Sequence, residues 1–444
     1  MVKTYFRYTE ANTFGHSTTN ICNSILLEDQ NTLIIASGET VVFVNAINGD
    51  EKEKFSFEKK SNVTHIKLVQ DEFTKFLLVG FEDGDVILKH LDLEIELAEE
   101  KDAIFLEHQA AVKTLDTNED GNLLASGGDD NLVVLWDILA KHPIYKFVGH
   151  TQPITFVKFV TIGITDYILS GSKDGLLRLW DTSIRECVQV FRTNRNEVTC
   201  CLSFNQGKCL MLGTDSEELI FVEIGKFGKD EEKGIDIYLK ERGRFTREYY
   251  GRVDVIAFNK QERIIALLSD RKHIEYLAFR TKEEANKKFK RKRKRAKENK
   301  KEFEITQEEY MLNLGNWVEP ISRSKTKSKT NYIVLGEALK QMKNPMFLCN
   351  ANNSLDLQLL EKNEQGKIEV KEIKCYSKMA HQTVVRALDI SSDDSMTVSV
   401  SNESLKIWSM EAQCQRIKHF ALKEIVSVKF LPRDRYVALG DKKG

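Results

Sequence analysis

Two neighbouring stretches of this chain repeat one another at a distance of 44 residues, and this repeat limits the possible folds more than any other feature. The first stretch, residues 123–137, reads Leu-Leu-Ala-Ser-Gly-Gly-Asp-Asp-Asn-Leu-Val-Val-Leu-Trp-Asp. The second, residues 167–181, reads Tyr-Ile-Leu-Ser-Gly-Ser-Lys-Asp-Gly-Leu-Leu-Arg-Leu-Trp-Asp. A fixed period of about 20 to 50 residues is typical of proteins built from stacked units that bury a core only together.

The spacing inside the two stretches agrees as closely as the distance between them. In each stretch a serine lies four residues before an aspartate, and a tryptophan lies six residues after that aspartate. These residues are Ser126, Asp130 and Trp136 in the first stretch and Ser170, Asp174 and Trp180 in the second. A period of about 40 to 45 residues is that of a β-propeller blade, a four-stranded antiparallel sheet. The sequence therefore predicts an all-β chain that forms a propeller of about seven blades.

Weaker units of the same kind flank the two clear ones and bring the count to eight. They cover residues 18–57, 62–106, 196–240, 252–279, 329–378 and 381–420. In the last of them Trp408 lies in the third-strand position, and Asn402 replaces the aspartate of the turn. Each strand of a blade is expected to alternate apolar and polar side chains, as antiparallel strands with one solvated face do.

A ninth unit begins at Glu424 and stops after two strands, which leaves two interpretations of the chain. In the first, the chain is a piece of a longer protein, with residues 1–378 as one propeller and residues 379–444 as the beginning of a second. This interpretation is favoured because an unpaired half-blade exposes a strand edge that is prone to aggregation. In the alternative, strands from both ends of the chain share one blade and close a single ring.

Polar residues in the clear units are spaced for a buried hydrogen-bond relay. An aspartate in a tight turn accepts hydrogen bonds from turn amides or from an imidazole, and a tryptophan indole N–H can donate to a serine hydroxyl. The predicted relays are His108, Asp130, Ser126 and Trp136 in one unit, His150, Asp174, Ser170 and Trp180 in the next, and a counterpart with His381 and Trp408. A hydrolase triad of His, Asp and Ser is disfavoured, because a nucleophile needs one accessible site rather than tandem buried copies.

The remaining chemistry-bearing residues predict neither an enzyme nor a cofactor. The sequence contains no Gly-rich phosphate loop, its 8 cysteines are scattered without a Cys-x-x-Cys pair, and no cluster has the spacing of metal ligands. We therefore expect no catalytic residue, no metal and no cofactor. The histidines outside the repeat scheme are expected to be isolated surface residues; they are His16, His65, His142, His273 and His419.

One segment carries most of the positive charge of a chain whose formal net charge is −1. Residues 280–329 contain 17 Lys/Arg against 8 Asp/Glu, a net charge of +9. Residues 280–310 lack Gly and Pro and are rich in helix formers, so they predict a long solvent-exposed helix. We expect the insertion, residues 280–328, to lie between the third and fourth strands of the sixth blade. Its dense core is Lys287, Lys288, Lys290, Arg291, Lys292, Arg293, Lys294 and Arg295, and a weaker patch follows at residues 323–329.

Three functions are compatible with this basic insertion. A run of lysines and arginines is typical of a nuclear-import signal. The same cations can neutralise phosphates of structured RNA and release counterions. The third possibility is a helix that is merely solvated. Only Phe289 interrupts the basic run, so stacking on single-stranded bases is disfavoured.

The order of these features resembles one family of WD-repeat proteins. The features are the tandem Trp-Asp units, Val-Lys-x-Tyr-x-Arg-Tyr at residues 2–8 before Phe14-Gly15, the late basic helix, Leu-Lys-Ile-Trp at 405–408 followed by Cys414, and Lys-Phe-Leu-Pro at 429–432. The chain resembles the amino-terminal half of the U-three-protein-twelve family, also called WD repeat-containing protein three. The resemblance implies a subunit of the UtpB complex of the small-subunit processome, with a second propeller and a helical domain beyond the first.

What the resemblance implies about function is a non-catalytic scaffold in nucleolar pre-rRNA processing. Its expected partners are protein subunits of a UtpB-type assembly, preribosomal RNA and the U three small nucleolar RNA, and its expected location is the nucleus and nucleolus. No membrane and no small-molecule substrate are expected. A function of another class stays open: a substrate receptor or adaptor of a ubiquitin-ligase or chromatin complex that reads a peptide on one face of the ring.

Overall fold

A computed structural model of the chain is built almost entirely from antiparallel sheets, which confirms the predicted all-β propeller class. It describes residues 22–442 apart from 28–30, 48, 50, 58–60, 71–74, 92–101, 163–164, 195, 205–208, 228–235, 250, 260, 262, 299–305, 340–341, 353, 364–367, 376–380, 382 and 411–415. Within these residues the strands form eight four-stranded sheets and two two-stranded ones. Strands that follow one another in the chain lie side by side, as short turns dictate.

The first four sheets contain strands β1 to β16. Sheet 1 comprises β1 (Ile25–Leu26), β2 (Thr32–Ser37), β3 (Thr40–Asn45) and β4 (Glu51–Ser56). Sheet 2 comprises β5 (Val63–Gln70), β6 (Lys75–Phe81), β7 (Asp85–His90) and β8 (Ala103–Leu106). Sheet 3 comprises β9 (Val112–Thr117), β10 (Leu123–Gly128), β11 (Val133–Asp137) and β12 (His142–Phe147). Sheet 4 comprises β13 (Ile154–Ile162), β14 (Thr165–Ser172), β15 (Leu176–Asp181) and β16 (Glu186–Arg192).

The next three sheets contain strands β17 to β30, the basic insertion and one hairpin. Sheet 5 comprises β17 (Val198–Phe204), β18 (Cys209–Thr214), β19 (Glu218–Phe227) and β20 (Asp236–Thr246). Sheet 6 comprises β21 (Val253–Asn259), β22 (Ile264–Ser269), β23 (His273–Phe279) and β24 (Val318–Lys325). Sheet 7 comprises β25 (Thr330–Leu335), β28 (Pro345–Asn350), β29 (Leu355–Lys362) and β30 (Ile368–Cys375), with a small hairpin of β26 (Ala338–Leu339) and β27 (Met342–Lys343) after its first strand.

Apolar clusters join sheets 1 to 7 in chain order, each sheet packing on the next. A further cluster joins sheet 7 back to sheet 1, where Phe347 and Leu357 pack with Leu33 and Val42. At the same junction Ser24 Oγ and Cys349 Sγ lie 3.2 Å apart. The seven sheets therefore form a closed ring, and we call them blades 1 to 7.

Among the residues that the structure describes, no blade combines strands from the two ends of the chain. Blade 1 takes its four strands from consecutive residues, and blade 7 does the same. The last strands, β35 (Ile425–Phe430) and β36 (Val437–Asp441), pair with each other. They pack on an eighth sheet of β31 (Val385–Ile390), β32 (Met396–Ser401), β33 (Ser404–Ser409) and β34 (Arg416–Ala421) through a cluster of their own. The division of the chain at residue 378 stays a prediction.

The middle strands of the blades do not alternate as expected. Every residue of β18 and β22 is buried, and β10 is buried in all but its first residue. The reason is that each blade is covered on both faces by its neighbours, as sheets inside α/β proteins are. Strict alternation is found on an outer strand, β16, where exposed and half-buried residues take turns. The first strand of each blade lies innermost, and these strands surround a central cavity.

Candidate functional site

The basic insertion leaves the ring after the third strand of blade 6 and returns as its fourth strand. Phe279 at the end of β23 pairs with Val318 at the start of β24. The 38 residues between them therefore replace the short turn that would otherwise join these two strands. The insertion contains α1 (Lys282–Glu298), α2 (Gln307–Leu312) and a 3₁₀ turn (Leu314–Trp317). The eight predicted cations all lie on α1.

The prediction of one long solvent-exposed helix over residues 280–310 is wrong in two respects. Helix α1 ends at Glu298, and α2 begins with a separate capping box in which Thr306 and Glu309 satisfy each other's backbone N–H groups. One side of α1 is also buried: Ala285 is fully covered, and the Phe289 ring lies 5.1 Å from that of Tyr310. The helix is therefore packed on α2 rather than free in solvent.

The insertion is fixed to the outer strand of blade 5 by close backbone approaches. Gly243 in β20 has a φ of 125°, and a Cβ built there would lie 1.9 Å from the side-chain oxygen of Asn313. A Cβ on Gly315 would lie 2.1 Å from the carbonyl oxygen of Arg244. Only glycine permits both contacts, because any larger side chain would meet these atoms. The 3₁₀ turn thus docks on β20, and Arg280 forms an ion pair with Glu319 at the base of the insertion.

Seven of the eight cations on α1 are exposed, and their spacing divides them between faces of the helix. Lys287, Lys290, Arg291 and Lys294 recur at the i, i+3, i+4, i+7 spacing of one helical face. Since Ala285 and Phe289 face the protein, these four point to solvent, and at 1.5 Å per residue they cover about 10 Å of helix. We call these four residues the basic stripe.

The eighth cation, Lys288, lies at the border of the buried side. Burial, and then the charges of Arg280 and Lys292, lower its pKa to about 8. The ammonium of Lys292 lies 5.5 Å from the centre of the Tyr310 ring, a cation–π distance. Lys288 is half-buried and Lys292 contacts α2 through Tyr310, so both are less available to an external partner than the basic stripe.

The weaker basic patch at residues 323–329 lies on and after β24, where acidic neighbours partly neutralise it. Arg323 forms an ion pair of 2.9 Å with Glu248, and Lys327 forms one of 2.6 Å with Glu372. The basic stripe differs, because the ion pair that the structure describes there, Lys294 with Glu298, is 4.0 Å long. Positive charge facing solvent is therefore concentrated on the stripe.

In blade 3 the structure brings all four predicted relay residues together. His108 Nδ1 lies 2.8 Å from Asp130 Oδ2, His108 Nε2 lies 2.7 Å from Ser126 Oγ, and the Trp136 indole N–H donates to Ser126 Oγ at 2.7 Å. Because the serine accepts from the indole, its own proton is free to donate to His108 Nε2, and Nδ1–H then donates to the aspartate. Each side-chain polar group of this relay has a partner in this arrangement.

Blade 4 repeats the arrangement with His150 at 2.9 Å from Asp174 and 2.8 Å from Ser170, and with the Trp180 indole donating to Ser170 at 2.8 Å. Although burial acts to raise it, the pKa of Asp174 is held below its ordinary value by the hydrogen bond from His150 and by backbone N–H groups. The Ser170 side chain is 0% exposed, as is Ser126 in blade 3. No substrate could reach either hydroxyl, so the geometry gives no support to a hydrolase triad.

The eighth sheet has a relay with a different third member. His381 Nε2 lies 2.7 Å from Ser399 Oγ, which also accepts from the Trp408 indole at 2.7 Å. Its Nδ1 faces Ser404 Oγ at 3.1 Å. Asn402, which the spacing placed in the aspartate position, is not the imidazole's partner in this arrangement; a serine two residues later is.

Comparison with known proteins agrees with this geometry. The family WD domain, G-beta repeat matches residues 100–137, 141–181 and 373–409, the three segments that carry the relays. These three segments of the chain are WD repeats. Its fold is also that of a chain in the crystal structure of the mitotic checkpoint complex, with a TM-score of 0.53 at 14% identity over 80% of this chain and 98% of that one.

Two named relatives confirm the resemblance that was found in the sequence. The WD-repeat chain is 26% identical to U3 small nucleolar RNA-associated protein 12 of Saccharomyces cerevisiae over all of its own length and 48% of that protein. It is 24% identical to U3 snoRNP-associated protein-like EMB2271 of Arabidopsis thaliana, over 38% of this chain and 33% of that protein. The chain thus spans about half the length of the relative that it matches throughout. Residues 2–8, Phe14-Gly15 and Cys414, which contribute to the resemblance, lie outside the described residues.

Blade 6 of this WD-repeat protein replaces the relay with a buried arginine that sequence reasoning missed. Arg247, 3% exposed, donates to Ser269 Oγ at 2.9 Å and to Glu275 at 3.2 Å, and it also donates to the Ser216 carbonyl at 2.7 Å. The guanidinium takes the place of the imidazole, and the glutamate that of the aspartate. A serine near the end of the second strand was a signal, but Ser269 is the last residue of its strand whereas Ser170 lies two residues before the end of β14, and the partners of Ser269 have other spacings.

The described part of the WD-repeat chain contains no group of three or more His, Cys, Asp or Glu side chains that could hold a metal ion. None of its helices combines the length and the apolar character that a membrane crossing requires. The prediction that His65 is an isolated surface residue is wrong, because the half-buried His65 lines the central cavity.

The relay of the eighth sheet predicts an acid-sensitive element in this WD-repeat protein. Burial, and then the charges of Lys406 and His419, lower the pKa of His381 to about 4 from an ordinary value near 6.5. The folded sheet therefore binds fewer protons than the unfolded chain, so its stability is complete above pH 6.5 and is lost as the pH falls towards 4. Hydrogen exchange at pH 7 and pH 5 should show faster opening of β31–β34 at pH 5. In His381→Gln this pH dependence should be absent; an unchanged dependence would contradict the assignment to His381.

Proposed function

We propose that this WD-repeat chain is a non-catalytic scaffold in biogenesis of the small ribosomal subunit, which holds partner proteins on its ring and contacts preribosomal RNA with the basic stripe. The observation that carries the proposal is the basic stripe itself: four exposed cations on one face of a helix that is anchored to blade 5. Phosphate contacts supply most of the affinity of sequence-independent nucleic-acid binding, and they need cations that face solvent in a fixed arrangement.

Structured RNA is the form of nucleic acid that the stripe suits. Double-stranded RNA is recognised mainly through its shape, phosphates and 2′-hydroxyls, which a rigid row of lysines and arginines can contact. Recognition of single strands depends on aromatic side chains that stack on bases. Phe289 is the aromatic residue of α1, and it is buried against Tyr310. The stripe therefore offers charge without a stacking platform.

The relatives give the cellular setting of the proposal. A relative that matches the whole chain is named for association with the U3 small nucleolar RNA, and a second is named for the U3 snoRNP. We accordingly propose a nucleolar location, partners in a UtpB-type assembly and proximity to the U three small nucleolar RNA. Since the chain spans about half of the Saccharomyces relative, contacts made by the rest of such a protein could supply part of its assembly.

The competing interpretation of the basic run is a nuclear-import signal. A receptor that reads the run as an extended peptide would first have to unfold α1 and expose Ala285 and Phe289, which are 0% and 3% exposed. Burial of a phenylalanine is worth about 1.5 to 3 kcal/mol, so unfolding carries a cost that RNA binding does not. This observation favours RNA over import as the primary role. A peptide receptor of a ubiquitin-ligase or chromatin complex has no comparable observation in its favour.

The experiment follows a tagged chain carrying an added import signal, so that nuclear entry does not depend on α1. We expect it to concentrate in nucleoli and to crosslink to preribosomal RNA. Changing the eight basic residues of 287–295 to serine should lower crosslinking several-fold without changing nuclear entry. The matched control changes Arg323, Lys325, Lys327 and Lys329 to serine and should crosslink like the parent chain. Without the added signal, a loss of entry alone would assign the run to import, and a cytoplasmic chain with no recovered RNA would refute the scaffold proposal.

A further inference from the structure

The central cavity of the ring has two unlike walls. It has a volume of about 720 Å³ and is lined by residues from the first strand of every blade. On the side of blades 5 to 7 the lining includes apolar or weakly polar groups such as Cys201, Ile256 and Tyr332. On the side of blades 2 to 4 it is charged. A volume between about 300 and 1,000 Å³ with an apolar wall and a few converging polar groups is typical of sites for small molecules.

The charged wall is a cluster built from three successive blades. Lys67 Nζ of blade 2 lies 2.7 Å from Asp116 Oδ1 of blade 3, and Lys158 Nζ of blade 4 lies 3.4 Å from the same oxygen. The other carboxylate oxygen, Oδ2, accepts the backbone N–H of Phe159 at 3.0 Å. Two ammonium groups thus share one oxygen of a single carboxylate, and the cluster has a net charge of +1. Each lysine side chain keeps about a third of its surface exposed to the cavity, at 31% and 33%.

His65 lies beside this cluster on the same strand as Lys67. Among the described residues its Nδ1 atom is buried without a hydrogen-bond partner, which is rare for a polar atom in a folded protein. Burial, and then the positive charges of Lys158 and Lys67, lower the pKa of His65 to about 3. The imidazole is therefore neutral at physiological pH and adds no charge to the cluster.

Four further basic residues line the cavity: Lys113, Lys173, Arg252 and Arg271. Two of them have acidic neighbours, since Lys113 lies 3.1 Å from Asp129 and Arg252 lies 3.8 Å from Asp254. With the two cluster lysines, six of the described lining residues are Lys or Arg, and two are Asp. The chain as a whole has a net charge of −1, so this excess is local. A cleft lined by one sign of charge concentrates ions of the opposite sign.

We propose that the central cavity binds a small anion that carries phosphate or carboxylate groups, held between Lys67 and Lys158. The anionic group completes the charge balance of the cluster and accepts hydrogen bonds from the exposed ammonium groups of both lysines. The remainder of the molecule lies against the wall formed by Cys201, Ile256 and Tyr332. The two lysines that hold the anion belong to blades 2 and 4, whereas the basic stripe belongs to the insertion of blade 6, and the site does not depend on RNA binding.

The test is a calorimetric titration of the purified full chain at low ionic strength with three probes: inorganic phosphate, pyrophosphate and citrate. We expect saturable binding of at least one probe at one site per chain, and the ranking of pyrophosphate against citrate distinguishes phosphate from carboxylate ligands. Lys67→Met and Lys158→Met should each weaken binding at least about tenfold, the loss expected for a charge-assisted hydrogen bond. Absence of binding for all three probes would overturn the proposal, and so would binding by both variants with the affinity of the parent chain.

Two further variants keep the test decisive if a lysine variant fails to fold. Asp116→Asn keeps an oxygen for the Phe159 N–H but removes the competing charge, so it should tighten binding several-fold; weaker binding by folded Asp116→Asn would also overturn the proposal. Lys290→Ser in the basic stripe should bind the probes like the parent chain. That control separates the two proposals. The stripe can fail to bind RNA while the cavity still binds the anion, and the cavity can fail to bind the anion while the stripe still binds RNA.

Discussion

Ser170→Ala is expected to lower the free energy of unfolding of the ring by about 2 to 5 kcal/mol. The hydroxyl is 0% exposed, accepts from the Trp180 indole at 2.8 Å and lies 2.8 Å from His150 Nε2. Its removal leaves the Trp180 indole N–H and the His150 imidazole without their partner. A buried polar group without a partner costs about 1 to 3 kcal/mol. Urea unfolding followed by linear extrapolation measures the change directly.

The control for this variant changes a serine in the turn after the next strand. Ser183 lies in the exposed turn after β15, and Ser183→Ala should change the free energy of unfolding by less than about 0.5 kcal/mol. Trp180→Phe alone removes one of the two bonds to Ser170. In the double variant, the combined loss should be smaller than the sum of the two single losses, because both changes break the same network. If Ser170→Ala costs no more than Ser183→Ala, the relay does not stabilise the blade.

The relays show what could be predicted from the sequence. A hydrogen bond fixes the positions of both partners to within a few tenths of an ångström, so a network that recurs in each blade must recur at fixed spacing. The Ser-x₃-Asp-x₅-Trp spacing therefore identified blades 3 and 4 and the residues that meet in them. Blade 6 escaped this reasoning because Arg247, with a longer side chain than histidine, reaches its partners from another position along the chain.

Local sequence patterns could not predict contacts between distant segments of the chain. The buried side of α1 depends on Tyr310, 21 residues after Phe289 and in a different helix, so composition alone predicted a helix exposed all round. The cavity cluster joins Lys67, Asp116 and Lys158, each on the first strand of its own blade. Only the packing of successive blades brings these strands side by side. The error about His65 has the same cause, since the cavity that it faces exists only in the closed ring.

The affinity of the chain for a duplex RNA is expected to depend steeply on salt, and the basic stripe should account for about four phosphate contacts. With a slope of about −0.9 per phosphate contact, four contacts alone lower the association constant about a hundredfold between 50 and 200 mM salt. The variant with Lys287, Lys290, Arg291 and Lys294 changed to serine should therefore lose about three to four units of slope in a plot of log affinity against log salt. Fluorescence anisotropy with a labelled duplex over this salt range measures both quantities.

Two further variants separate charge from anchoring. Changing Arg323, Lys325, Lys327 and Lys329 to serine removes the same number of cations, but Arg323 and Lys327 already pair with Glu248 and Glu372, so the slope should change by less than about one unit. Phe289→Ala keeps every cation and removes the ring contact with Tyr310 that holds α1 on the protein. It should weaken binding while keeping the slope, because a loosened helix must be ordered again before it meets the phosphates. An equal loss of slope in the stripe variant and in the 323–329 variant would show that net charge, and not the anchored stripe, binds the RNA.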